Sequence, residues 1–150
     1  GCGLGLGTCL FHSLGFRVMG LDASAETVDA ARRRYPWLEF KTGKAEEFSE
    51  PSGFDAVVAL EVLEHFMRGE DAVEDWKTCL KPGGLFCASY KSGDGGERDS
   101  LGRYYNFPSE ATLRAAYAAA GPWSDLTLET GEGGGYDGVR RTWLFVSAVR

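Results

Sequence analysis

The chain opens Gly1-Cys2-Gly3-Leu4-Gly5-Leu6-Gly7-Thr8, and after a short apolar stretch it delivers Arg17-Val18-Met19-Gly20-Leu21-Asp22-Ala23-Ser24. A glycine-rich turn followed by a strand that ends in an acid decides the fold. Glycines at alternate positions let the main chain approach a ligand with no Cβ in the way, and a helix opening from Thr8 points its free N–H groups at the same place. An acid about 20 residues on can accept both hydroxyls of a ribose. The two stretches together specify a nucleotide site. A dinucleotide fingerprint needs glycine at its first, third and sixth positions, and counted from Gly1, Gly3 or Gly5 the sixth position is Leu6, Thr8 or Leu10. That spacing makes an NAD-dependent oxidoreductase the weaker alternative. What fits is Gly-x-Gly-x-Gly at Gly1, Gly3 and Gly5.

Working outward, strand and helix alternate. Phe16 to Leu21 reads as a strand. Ser24 caps a helix from Ala25 to Tyr35 with Val28, Ala31 and Tyr35 on one face, and Pro36 stops it. Leu38 to Thr42 is the next strand. Ala56 to Leu60 is a continuous apolar run, as expected of a strand covered on both faces. A helix over Asp71 to Leu80 is broken by Lys81-Pro82-Gly83-Gly84, and Leu85 to Tyr90 makes another buried strand. Ser109 caps a helix from Glu110 to Ala120, which Gly121-Pro122 ends. Strands at Leu126 to Thr130 and Thr142 to Val149 flank the glycine-rich stretch Gly131 to Gly138 and suit an antiparallel hairpin. The segment from Ser92 to Arg103 reads as the longest irregular loop.

Several segments, in order, resemble the class I S-adenosylmethionine-dependent methyltransferases. Gly1, Gly3 and Gly5 resemble the cofactor loop of that family, and Asp22-Ala23-Ser24 the acid-x-Ser that ends its second strand. Phe40 to Phe48 resembles the adenine-side segment, Phe54 to His65 the fourth strand and its exit, and Leu80-Lys81-Pro82-Gly83-Gly84 the turn into the fifth. The resemblance implies an α/β, Rossmann-like, doubly wound and mostly parallel sheet with a C-terminal antiparallel hairpin. It also implies one methyltransferase domain over residues 1–150, whose central first strand precedes Gly1 and is missing from this chain.

The same resemblance implies S-adenosylmethionine as cofactor, held by Gly1, Gly3, Gly5, Asp22, Ala23, Ala45, Glu46 and Glu61. Relatives often carry an acid where this chain has Lys44, and a charged lysine cannot accept a hydrogen bond. Adenine recognition therefore falls to the main chain around Ala45 and to apolar packing. The spacing Glu61-x-x-Glu64-His65 is shared with ubiquinone-pathway O-methyltransferases and with a metal-dependent RNA 2′-O-methyltransferase family. The RNA enzymes need a further His, and this chain has only His12 and His65, so no metal is expected. His65, with Glu64, is the candidate for general base; the competing reading is a helix-start histidine bonded to the main chain. Tyr90, Lys91, Arg103, Tyr104 and Tyr105 follow the fifth strand, where acceptors enter in this family, and are candidate substrate contacts. Arg103 can hold an acidic group and the tyrosines can stack. The reaction implied is methyl transfer to a small molecule, oxygen slightly favoured. A non-catalytic cofactor-binding domain or inactive remnant is the alternative.

Bulk properties agree. The 150 residues, 43% hydrophobic and 25% charged, suit one globular domain. A net charge of −6 argues against a nucleic-acid partner, and no apolar run reaches the ~18 residues of a membrane span. Cys2, Cys9, Cys79 and Cys87 show no metal spacing and read as free thiols of a cytoplasmic protein.

Overall fold

A computed structural model describes residues 1–66, 72–93, 95–99, 102–134 and 138–150. Asp71, expected to open a helix, and parts of the loop 92–103 and of the glycine-rich stretch 131–138 lie outside these. The chain divides into two compact units, Gly1–Phe48 and Ser49–Arg150.

In the first unit, helix α1 (Leu6–Ser13) leads to β1 (Met19–Asp22), α2 (Ala25–Arg34), β2 (Glu39–Thr42) and a 3₁₀ turn at Ala45–Glu47. β1 and β2 run parallel, with Met19 opposite Glu39 and Asp22 opposite Thr42. Helix α2 forms where the sequence places it. The Ser24 side chain accepts from Thr27 N at 3.2 Å, Glu26 lies in the first turn and Arg32, Arg33 and Arg34 in the last, each complementing the helix dipole. Val28, Ala31 and Tyr35 then bury one face with Phe40, setting the distance between α2 and the two-stranded sheet. β1 begins later than expected, and Phe16 lies exposed outside it.

The second unit contains β3 (Phe54–Ala59), a 3₁₀ turn (Leu63–His65), α3 (Ala72–Cys79), β4 (Leu80–Lys91), β5 (Gly95–Arg98), β6 (Tyr104–Phe107), α4 (Glu110–Ala119), β7 (Asp125–Gly134) and β8 (Arg140–Val149). Its main sheet has the order β3-β4-β8-β7. β3 and β4 are parallel, while β8 is antiparallel to both β4 and β7, so the C-terminal hairpin closes one side and the sheet is mixed. The Lys81–Gly84 turn falls inside the span of β4, where the register with β3 shifts; regular pairing begins at Ala56 opposite Leu85.

One expectation is overturned at β3. The run was expected to be covered on both faces, yet Val58 and the following Leu60 are exposed. A continuous apolar run encodes a strand meant for burial but not the partner that buries it. A second difference lies in the loop after β4, which folds in part into the antiparallel pair β5–β6, with Gly95 opposite Phe107 and Arg98 opposite Tyr104. The core of this unit is aromatic. Phe86 on β4 lies 6.1 Å from Trp76 of α3 and 5.9 Å from Tyr117 of α4, ring centre to ring centre, pinning both helices to the sheet.

Candidate functional site

The glycine turn of the first unit is held by the acid that ends β1. Gly3, at φ +54°, donates its N–H to Asp22 Oδ2 at 2.9 Å, and Ser24 N donates to Asp22 Oδ1 at 3.0 Å. Cys2 N reaches Leu21 O at 2.8 Å, so the loop lies along the end of β1. A carboxylate offers about four lone-pair sites. Two are occupied here, which leaves each oxygen one further acceptor position. Gly5 caps α1 with φ +81°, and the helix start has no side-chain capping hydrogen bond. Gly1 and Ala23 are exposed beside these residues, Ala45 is buried at the start of its 3₁₀ turn and Glu46 is exposed. Lys44 pairs with Glu47 at 2.9 Å; that hydrogen bond holds its pKa above the ordinary lysine value, so it stays a solvent-facing cation. His12, exposed on α1, lines a cavity of about 410 Å³ at the amino ends of β1 and β2, the wrong end of a parallel sheet for a cofactor.

In the second unit the exit of β3 carries Glu61, exposed and left-handed at φ 56°. Its N–H is held by Ser89 Oγ of β4 at 2.9 Å. Glu64 is fully buried, and its Oε1 accepts from Lys91 Nζ at 2.9 Å, Lys91 itself being 5% exposed. The Lys91 ammonium lies 4.4 Å from the centre of the Tyr105 ring and 5.0 Å from that of Trp143. His65, one residue after Glu64, is exposed. Its Nδ1 lies 2.9 Å from the Tyr104 carbonyl oxygen, and its ring centre lies 4.6 Å from that of Tyr105. A cavity of about 480 Å³ opens beside it, lined by His65, Gly96, Glu97, Arg98 and Tyr104.

Side chains alternate along a strand, and this separates the candidates on β4. Lys91 faces Glu64, whereas Tyr90 points the other way. Tyr90 is 1% exposed with its hydroxyl 3.1 Å from that of Tyr117, so it is a core residue and cannot meet an acceptor. Lys91 is likewise spent on Glu64 and two rings, and Arg103 on Asp99, with Nε to Oδ2 at 2.7 Å. The structure brings His65 and Tyr104 to the cavity, while Tyr105 is buried and packs against His65 and Lys91.

A family profile described as "Methyltransferase domain" matches residues 1–88, more than half of the chain. The chain belongs to the S-adenosylmethionine-dependent methyltransferase family. It is 37% identical over 90 residues to a Mycolicibacterium smegmatis protein named a probable S-adenosylmethionine-dependent methyltransferase, covering 59% of this chain and 35% of that protein. It is 32% identical over 93 residues to the ubiquinone biosynthesis O-methyltransferase of Nitrobacter winogradskyi, covering 59% and 36%. These matches span about a third of the relatives' length. A Methanosarcina mazei S-adenosylmethionine-dependent methyltransferase shares the fold over all of this chain and 89% of its own, with a TM-score of 0.88 at 18% identity.

S-adenosylmethionine is the cofactor of this family. The residues present fit it: an open main chain at Gly3, where an added Cβ would meet nothing within 4 Å, a helix start without a side-chain cap, and a carboxylate with unused lone pairs. Among the described residues no group of three or more His, Cys, Asp or Glu could hold a metal ion. Two residues beside the candidate site carried no role in the sequence reading. Ser89 was hidden inside an apolar strand, where a lone hydroxyl is the available signal. Arg98 sits in a segment whose Gly95-Gly96 start disguises a strand.

Proposed function

We propose that this chain transfers the methyl group of S-adenosylmethionine to a hydroxyl of a small-molecule acceptor, with His65 as general base. The observation that carries the reading is the 2.9 Å contact between His65 Nδ1 and the Tyr104 carbonyl oxygen. A carbonyl only accepts, so Nδ1 carries the proton, and in the neutral ring the lone pair stands on Nε2. A hydroxyl acceptor is protonated at working pH and needs such a base. Relatives at 32% identity are named ubiquinone biosynthesis O-methyltransferases, and the resemblance of Glu61-x-x-Glu64-His65 to that family supports the same choice.

When bound, S-adenosylmethionine supplies an electrophilic methyl group on a sulfonium, so the protein need only bind, align and exclude water. Asp22 accepts the ribose hydroxyls with its two remaining positions, Gly1, Gly3 and Gly5 admit the cofactor against the main chain, and Ala23, Ala45, Glu46 and Glu61 line the rest of its site. Tyr104 faces the acceptor, and its main chain holds the imidazole that takes the acceptor's proton; Tyr105 backs the imidazole from the core side. The acidic balance of the chain suits a small molecule better than a nucleic acid, and four free cysteines suit a cytoplasmic setting.

The family match runs through both compact units, which supports one methyltransferase domain over residues 1–150. A strand preceding Gly1 completes the doubly wound sheet in this reading. Exposed Val58 and Leu60 at β3 are the apolar surface that supports it.

Saturating S-adenosylhomocysteine at 100 times its dissociation constant should stabilise the folded chain by about 2.7 kcal/mol, read as a higher melting temperature. Asp22→Ala should abolish the shift, and no shift in a cooperatively melting chain would refute the cofactor assignment. With a panel of catechols and phenols, His65→Asn should lose product while keeping the cofactor shift. Full turnover by His65→Asn would remove the base from the proposal.

A further inference from the structure

Four side chains of the second unit form a closed circuit of contacts. Glu64 bonds Lys91, the Lys91 ammonium sits on the Tyr105 ring, that ring packs against the His65 imidazole, and His65 follows Glu64 in the chain. The turn carrying His65 has little rigidity of its own. Its three residues are held by two main-chain bonds, His65 N to Val62 O at 3.1 Å and Phe66 N to Leu63 O at 3.2 Å. The imidazole lies outside the core, so its orientation must come from its neighbours. Two of them lie on β6, where the Tyr104 carbonyl holds Nδ1 and the Tyr105 ring covers one face.

We propose that the buried Glu64–Lys91 pair is a positioning device for His65: it anchors the turn from below and the Tyr105 ring from the side, and so keeps Nδ1 on the Tyr104 carbonyl. This rests on His65 being the base, and it gives Glu64 and Lys91 a role different from acid catalysis or substrate contact. A buried ion pair adds little stability over an apolar pair of like volume, and fixing one arrangement is a documented use of such pairs. The geometry favours that use here. Glu64 Oε2 has no hydrogen-bond partner among the described residues, so Lys91 is the carboxylate's one side-chain anchor. Lys91 spends its charge on that oxygen and on the Tyr105 and Trp143 rings, and is too enclosed to reach an acceptor.

Nitrogen-15 NMR of the histidines reads the tautomer without any substrate. The chain has two, and His12→Gln assigns them. At a pH where the ring is neutral, His65 should show one protonated and one bare nitrogen at well-separated shifts. In Glu64→Leu/Lys91→Met, which leaves no buried charge unpaired, the two shifts should move together as the tautomers mix, while far-UV circular dichroism and the S-adenosylhomocysteine shift in melting stay unchanged. Separated shifts persisting in the folded double variant would overturn the proposal. Should that variant fail to fold, Tyr105→Leu cuts the circuit at its other link, with the same two outcomes; failure of both to fold also overturns it, because the pair would then hold the fold and not the imidazole. If the shifts merge as expected while His65→Asn turns over normally, the positioning stands and the base assignment alone falls.

Discussion

At Gly5 two demands coincide. Its φ of +81° is one that L side chains rarely adopt, and an added Cβ would lie 2.7 Å from Phe40 Cζ. Gly3 meets only the first demand, since nothing lies within 4 Å of its Cβ position. Left-handed geometry costs a non-glycine residue about 1–2 kcal/mol, and overpacking adds about 1–3 kcal/mol. Gly5→Ala should therefore destabilise the chain more than Gly3→Ala, seen as a larger drop in the urea midpoint with m unchanged. Affinity for S-adenosylhomocysteine should fall in both. These glycines and Asp22 were legible because their roles depend on spacing in one short stretch. Lys91 was not, because its partner Glu64 is 27 residues away and nothing local marks the pairing. The available signal was a lysine closing an otherwise apolar strand, which burial makes costly unless an acid meets it. Tyr90 failed as a substrate contact for a local reason: strand alternation sets it on the opposite side from Lys91.

Helix α4 shows what a cap contributes at the scale of an element. Ser109 Oγ accepts from Thr112 N at 3.1 Å, and the helix it starts buries Leu113 and Tyr117 completely. Ser109→Ala should cost about 1 kcal/mol, whereas Ser109→Asp should cost little, since Asp caps as well and suits the helix start; paired urea titrations check both. Caps and stops made α2 and α4 readable to within a residue, because their signals are covalently adjacent to the helices. The pair β5–β6 was not readable. Tyr104-Tyr105-Asn106-Phe107 has strand character, but its partner begins Gly95-Gly96, and a strand without side chains to pack leaves no periodic pattern. The same asymmetry misled the reading of β3, whose residues announce burial while the segment that would cover them is not encoded beside them.

For the whole molecule, the buried phenols predict where stability ends on the alkaline side. Burial, and then the neighbouring Tyr90, raise the Tyr117 phenol far above its ordinary value of 10.0. Below that ordinary value both folded and unfolded chains keep the proton, and the stabilisation is fully present. Above it the unfolded chain ionises and the folded chain does not, so stability should fall by about 1.4 kcal/mol per pH unit. Tyr117→Phe should flatten this limb while costing about 1 kcal/mol at neutral pH through the lost hydroxyl contact with Tyr90. Urea midpoints measured from neutral to alkaline pH give both numbers. The division of labour along the chain has a consequence of another kind. Residues proposed for the cofactor lie mostly before Phe48, whereas the imidazole takes its bearing from β6, a four-residue strand paired, among the described residues, with the glycine-led β5 alone. Substitutions in that small hairpin are therefore expected to alter acceptor turnover while the melting shift with S-adenosylhomocysteine stays as it is.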